Sequence, residues 1–166
     1  MMQTHKLPFL IAAGLLVAGL LAGPVAAAEK APIRGSAVAL DGDTLFVAGQ
    51  KVRLYGIDAP EMSDWPHGAL SRSALDRVVE SGDVMCTVHG HDRYRRAIAT
   101  CRVGGRDLAL VQLATGQAVT YRVYLFGDKR PRGVDEAQVQ GYLAAERQAE
   151  QQSLGFWLVS AAATTE

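Results

Sequence analysis

The apolar run Leu45 to Ala48 stops at Gly49-Gln50, and a second run resumes from Lys51 to Ile57. Two short apolar runs about a turn dipeptide predict a β-hairpin. Folding about Gly49-Gln50 puts Asp43 opposite Gly56 and beside Asp58, with Glu61 just past Pro60. Three carboxylates then meet where the hairpin opens, and Arg53 lies along its second strand. Strict alternation sends Arg53 and Asp58 to opposite faces, so one shared site requires a bend or bulge, for which Gly56 is the candidate.

The rest of the chain extends the pattern. Ser36 to Leu40 predicts a first strand. Residues 68 to 80 predict a helix, because Leu70, Ala74 and Val78 recur at spacing four beside Leu75 and Val79, and Gly82 stops it. Val84 to Val88 and Arg96 to Val103 predict a fourth and fifth strand joined by the polar stretch 89–94. Asp107 to Thr115 predicts a second helix closed by Gly116. Ala118 to Tyr124 reads as extended, 125–133 as a loop, and Val134 to Ser153 as a third helix. Leu154 to Trp157 is expected to pack back on the body. Three strands, a helix, two strands and further helices predict a mainly β fold with α elements (α+β), a five-stranded OB-fold barrel with about three helices. The outer face of such barrels commonly binds oligonucleotides or oligosaccharides.

Composition narrows the function. With hydrophobic residues at 49% and charged residues at 20%, the chain is globular. Lys+Arg and Asp+Glu are both 17, so no global basic field marks a nucleic-acid partner, and polyanion binding needs a local patch. The first residues follow a leader pattern: His5-Lys6, an apolar core from Pro8 to Ala22, a break at Gly23-Pro24, and small residues Val25 to Ala28. Residues 1–28 are expected to be a signal peptide, the rival being an uncleaved anchor. The remainder divides into a domain at 29–160 and a tail at 161–166, exported to the periplasm or secreted. In an oxidising compartment Cys86 and Cys101 are either a disulfide or buried thiols, and their position astride a turn near Arg93-Tyr94 suits the bridge.

The candidate chemistry centres on the acids. They are either ordinary turn residues or, because like charges repel, ligands around a cation. Without histidine or cysteine the cluster suits a hard cation, Ca²⁺ more readily than Mg²⁺. A second motif, Asp92-Arg93-Tyr94-Arg95-Arg96, reads as a solvated turn or, if the fifth strand returns beside the first three, as arginines poised for phosphate. His89 and His91 read as a solvated loop. Trp65, Phe156 and Trp157 read as packing residues, and Lys129 to Arg132 as a loop or a backbone contact.

Together these stretches resemble the staphylococcal nuclease (thermonuclease) family. Asp41-Gly42-Asp43-Thr44 looks like its first metal motif, Arg53 to Glu61 like its central motif, and Asp92 to Arg96 like its second arginine motif. Glu146 to Ala149 with Leu154 to Trp157 resembles its C-terminal helix and tryptophan. The likeness runs from about residue 35 to 157. It implies that Asp43, Asp58 and the Ala59 carbonyl hold Ca²⁺ and that Glu61 is the general base. It implies that Arg53 and Arg96 grip the scissile phosphate, and, more weakly, that Tyr94 and Tyr121 contact the nucleotide. The implied activity is hydrolysis of DNA or RNA leaving 3′-phosphate ends by a monomer without stable membrane association after leader cleavage. Two positions depart from the pattern, Ala59 for the usual threonine and Arg95 for the usual glycine. The competing readings are a non-catalytic module binding nucleic acid or an extracytoplasmic partner, and an oligosaccharide-binding barrel, for which no row of exposed aromatics is evident.

Overall fold

The computed structural model describes residues 31–131 and 134–158, so the leader and the tail lie outside the described residues. The main sheet runs β1 (Ile33–Gly35), β6 (Val84–His91), β7 (Ala97–Val103), β4 (Gln50–Leu54), β3 (Thr44–Val47), β2 (Ala37–Ala39), with β8 (Arg106–Asp107) paired to β7. The hydrogen-bonded ladder is not closed, yet its two outer strands, β1 and β2, are halves of one segment parted only by Ser36. Counted so, five strands form an OB-like mixed α+β fold: β1 with β2, β3, β4, β6 and β7. β5 (Ile57–Asp58) pairs with β9 (Val119–Thr120) in a separate small ladder.

The hairpin forms because its second turn position can turn tightly. Val47 pairs with Gln50, so Ala48 and Gly49 are the turn residues, both at positive φ (47° and 84°). The register therefore differs from the expected one: Thr44 faces Arg53, and the Leu54 N–H donates to the Asp43 carbonyl at 2.8 Å, so Asp43 stands opposite Leu54 and not Gly56. The expected break is present. β4 ends at Leu54 and β5 begins at Ile57, with Gly56 at φ 79° between them. A Cβ on Gly56 would lie 2.8 Å from Leu125 Cδ2 and 3.1 Å from a Tyr142 ring carbon, so space and dihedral both demand glycine there.

Helix α1 (His67–Val79) packs on β2 and α2 (Leu108–Ala114) and buries Leu75 and Val79. Helices α2 and α4 (Glu136–Gln151) pack on one another and on the sheet, burying Leu108, Leu113, Val139 and Tyr142. The segment read as extended from Ala118 to Tyr124 is β9 followed by a single helical turn, α3 (Arg122–Leu125), where tertiary packing of Tyr124 and Leu125 overrides strand propensity. Leu154 to Trp157 does pack back, the Phe156 N–H donating to the Gly116 carbonyl at 3.1 Å. Among the described residues no helix is long and apolar enough to cross a membrane.

Cys86 and Cys101 are direct partners across β6 and β7 and form a disulfide. Both are fully buried. Strand β6 runs on to His91 with an irregularity between Val88 and Gly90, so His89 and His91 belong to a strand and not to a solvated loop.

Candidate active site

The acid loop is built before the site is. The Asp41 side chain accepts the N–H groups of Asp43 and Thr44 at 2.9 and 2.6 Å, a local turn that aims Asp43 inward. Gly42 is pressed against helix α1: a Cβ there would lie 1.9 Å from Ser71 Oγ. Behind it, fully buried Gln112 donates from Nε2 to the Gly42 carbonyl at 2.8 Å and to the Ser71 carbonyl at 3.1 Å, so α2 and α1 hold the loop from inside. Sequence reading missed Gln112, since a lone glutamine among Leu110, Val111 and Leu113 gives no signal of what it touches.

Asp43 is buried at 4% exposure. Its Oδ1 accepts from Arg53 Nη1 at 2.6 Å and from Thr44 Oγ1 at 3.0 Å, and its Oδ2 from the Ala59 N–H at 3.0 Å. Arg53 Nη2 donates to Asp58 Oδ1 at 2.6 Å and to the Ile57 carbonyl at 3.3 Å. The break at Tyr55-Gly56 thus brings Arg53 and Asp58 together, and the cation between the two acids is the guanidinium itself. Burial pushes the Asp43 carboxyl up to about 6, against the pull of Arg53 and the Ala59 N–H. Burial also works against the Arg53 charge, but Asp43 and Asp58 outweigh it and hold the guanidinium above its ordinary value.

Arg96 enters from β7's leading edge. Its Nε donates to Asp92 Oδ2 at 2.7 Å, and its Nη1 reaches Thr44 Oγ1 at 3.4 Å, which joins it through Thr44 to Asp43. Arg95 adopts φ 65°, so an arginine takes the left-handed backbone that glycine adopts more cheaply. The turn is held by Asp92, whose Oδ1 accepts the N–H groups of Tyr94 and Arg96, each at 2.9 Å. Burial alone would raise the Asp92 carboxyl, but the bonds from Arg96 and the Tyr94 amide hold it below the usual range. A depressed carboxyl contributes stability that is present above its unfolded value, near pH 4, and is lost as pH falls through the lower folded value. Asp92→Asn is therefore expected to be less stable than the parent at neutral pH and to lose less stability on acidification below about pH 4. Urea unfolding across that range checks it, and parallel curves would contradict it.

Asp41, Asp43, Arg53, Ala59, Glu61, Tyr94 and Arg96 line one cavity of about 300 Å³. Beside it a groove of about 730 Å³ shares Arg53, Glu61, Tyr94 and Arg96 and adds Asp58, Tyr121, Tyr124 and Lys129. Tyr94 is exposed and stands under two guanidinium groups, those of Arg93 at 4.7 Å and Arg96 at 5.5 Å. Tyr121 lies edge-on to Tyr124 at 4.9 Å, with the Arg53 guanidinium 5.9 Å from its centroid. Trp65 is 80% exposed, so it is not the packing residue the sequence suggested. All eight candidate residues, Asp43, Arg53, Asp58, Ala59, Glu61, Tyr94, Arg96 and Tyr121, line one or the other of these adjoining spaces.

The donor chemistry fits a hard cation. Two carboxylates, one of them desolvated, and backbone oxygens supply only oxygen ligands, and water would complete the shell. Among the described residues no group of three His, Cys, Asp or Glu side chains is gathered as for a metal, so the expected meeting of three carboxylates does not form, and Asp43 and Asp58 are joined through Arg53 instead.

Fold and site together define an OB-like domain with an acid and arginine centre opening into a tyrosine-lined groove. Residues 51–159 match the family described as staphylococcal nuclease homologue. The chain belongs to this family. The succinoglycan biosynthesis protein ExoI of Rhizobium meliloti (strain 1021) is 33% identical over 155 residues, covering 87% of this chain and 74% of that protein. The probable staphylococcal-like nuclease CAN1 of Oryza sativa subsp. japonica is 31% identical over 120 residues, covering 72% of this chain and 32% of that protein.

Proposed function

We propose that the protein is an exported, Ca²⁺-dependent nuclease that hydrolyses phosphodiester bonds of DNA or RNA and leaves 3′-phosphate ends. The observation that carries the reading is one cavity holding a desolvated carboxylate, Asp43, a solvent-reaching carboxylate, Glu61, and two arginines, Arg53 and Arg96. Asp43, Asp58 and the Ala59 carbonyl would hold the cation, which when bound neutralises phosphate charge and orients water. Glu61 accepts the proton of the attacking water. Arg96, positioned by Asp92, meets the phosphate, and its charge counts most where negative charge accumulates. Arg53 uses three of its five N–H donors on Asp43, Asp58 and Ile57, which leaves two for a phosphate oxygen. Tyr94 and Tyr121 face the nucleotide from the groove. Export is supported by the Cys86–Cys101 disulfide, which persists in oxidising compartments, and by the leader pattern of residues 1–28.

The test is cleavage of single- and double-stranded DNA and of RNA with and without Ca²⁺, followed by end analysis of the products. Cleavage that stops with chelator and leaves 3′-phosphate ends is expected. No cleavage under varied salt, metal and pH overturns the enzyme and leaves a non-catalytic binding module. Asp43→Ala is expected to weaken Ca²⁺ binding at least tenfold by calorimetry, about 1.4 kcal/mol or more. Unaltered affinity would remove Asp43 from the ligand set.

A further inference from the structure

His89 lies outside the acid and arginine centre, yet it lines the same 730 Å³ groove as Arg53, Tyr94, Arg96 and Tyr124. Its ring is half-buried and stands edge-on to Tyr55, centroids 5.2 Å apart, and Tyr55 in turn stacks against Tyr124 at 6.5 Å. Its Nε2 is 2.8 Å from Thr100 Oγ1.

The hydrogen-bond direction follows from the groups behind Thr100. Gln138 Nε2 lies 3.0 Å from Asp107 Oδ2, and a carboxylate only accepts, so that atom is the amide nitrogen and donates. The same nitrogen is 3.1 Å from Thr100 Oγ1 and 2.9 Å from the Tyr142 hydroxyl; its two hydrogens serve three neighbours, and an amide nitrogen accepts from none, so it cannot take the Thr100 hydroxyl hydrogen. Thr100 is buried, and among the described residues its hydroxyl hydrogen has one acceptor in reach, His89 Nε2. Nε2 therefore accepts. Burial, and then the Arg102 guanidinium, hold His89 below its ordinary value, in line with an accepting Nε2. A neutral imidazole whose Nε2 accepts carries its hydrogen on Nδ1. Nδ1 has no protein partner among the described residues and is not sealed from solvent. The network of Asp107, Gln138 and Thr100 thus fixes one tautomer and leaves a single N–H donor for the groove.

We propose that His89 Nδ1–H is a specificity-determining donor that reads a hydrogen-bond acceptor on the base of the nucleotide held in this groove. The inference rests on the nucleic-acid reading above. A base presenting a carbonyl or ring-nitrogen acceptor is favoured over one presenting an amino group, because the latter leaves two donors facing each other. Thr100 is the positioning residue, acting only through the tautomer of His89.

The probe is a set of short fluorescein-labelled single-stranded DNA oligonucleotides, each of one base type, bound with metal chelated and followed by anisotropy. The wild-type protein is expected to bind them unequally. His89→Phe keeps the ring edge near Tyr55 and removes the donor, and it is expected to shrink the spread of Kd about three- to tenfold, the worth of one neutral hydrogen bond. His89→Asn, whose amide nitrogen matches Nδ1 in position, restores it. Thr100→Val frees the tautomer and shrinks the spread with His89 intact, a readout that a merely structural role would not move. Equal binding of all types by the wild type, a spread unchanged in both His89→Phe and Thr100→Val, or no oligonucleotide binding overturns the inference. Unequal binding without Ca²⁺-dependent cleavage overturns the nuclease reading and leaves the inference standing.

Discussion

Replacing Glu61 by glutamine is expected to lower kcat by about two to four orders of magnitude, the usual worth of a positioned general base. Oligonucleotide affinity should change little. The structure separates the residue's backbone from its chemistry. The Glu61 N–H donates to Asp64 Oδ2 at 3.3 Å, and its carbonyl accepts the Asp64 N–H at 2.8 Å. The carbonyl also abuts the start of α1, where a Cβ on Gly68 would come within 2.0 Å of it. The backbone is therefore clamped. The carboxyl is exposed and has no hydrogen-bond partner among the described residues, so it is free to take a proton from water in the cavity it shares with Arg53 and Arg96. Glutamine keeps the size and the clamp and loses the proposed base. Initial rates under saturating substrate check the prediction, and an unchanged kcat would remove Glu61 from its role.

The second large effect concerns stability. Removing the disulfide by Cys86→Ala with Cys101→Ala is expected to cost about 2–4 kcal/mol, chiefly because the unfolded chain regains the freedom of a closed loop. The bridge spans a sequence separation of 15. That loop holds Asp92, Tyr94 and Arg96, so the bridge also ties down the hairpin that carries the second arginine. Urea unfolding of the double variant, and of the parent with and without reductant, measures the loss. A change below about 1 kcal/mol would mean that the paired strands alone restrict the loop.

Much of this arrangement was legible in the sequence for physical reasons. The hairpin is announced by apolar runs flanking glycine, the disulfide register by cysteines astride a polar turn, and the bend at Gly56 by the conflict between Arg53 and Asp58. What the sequence hid depended on backbone states and tertiary neighbours. Ala48 has no intrinsic preference for positive φ, yet it takes the first turn position, and the pairing of Asp43 shifts from Gly56 to Leu54 as a result. Asp43 and Asp58 read as metal ligands; that Arg53 bridges them is a contact visible only once the strand breaks. His89 looked like a loop residue because glycine and polar neighbours mask a strand irregularity. Tyr121 to Leu125 has the composition of a strand, and only the burial of Tyr124 and Leu125 turns it into a helical turn. The role of Gln112 lies wholly in what faces it.

The single segment shared by β1 and β2 has a consequence for how the protein is made. Strand β1 finds its partner in β6, far along the chain, while β2 pairs with β3 close by. Non-local pairings form late, since their loop entropy is met only after the intervening elements exist. Strand β1 is thus expected to pair after β2 has joined β3, as a latch across the two ends of the ladder. A chain truncated past Gly35 would leave β6 an open edge, the kind of strand that recruits another molecule.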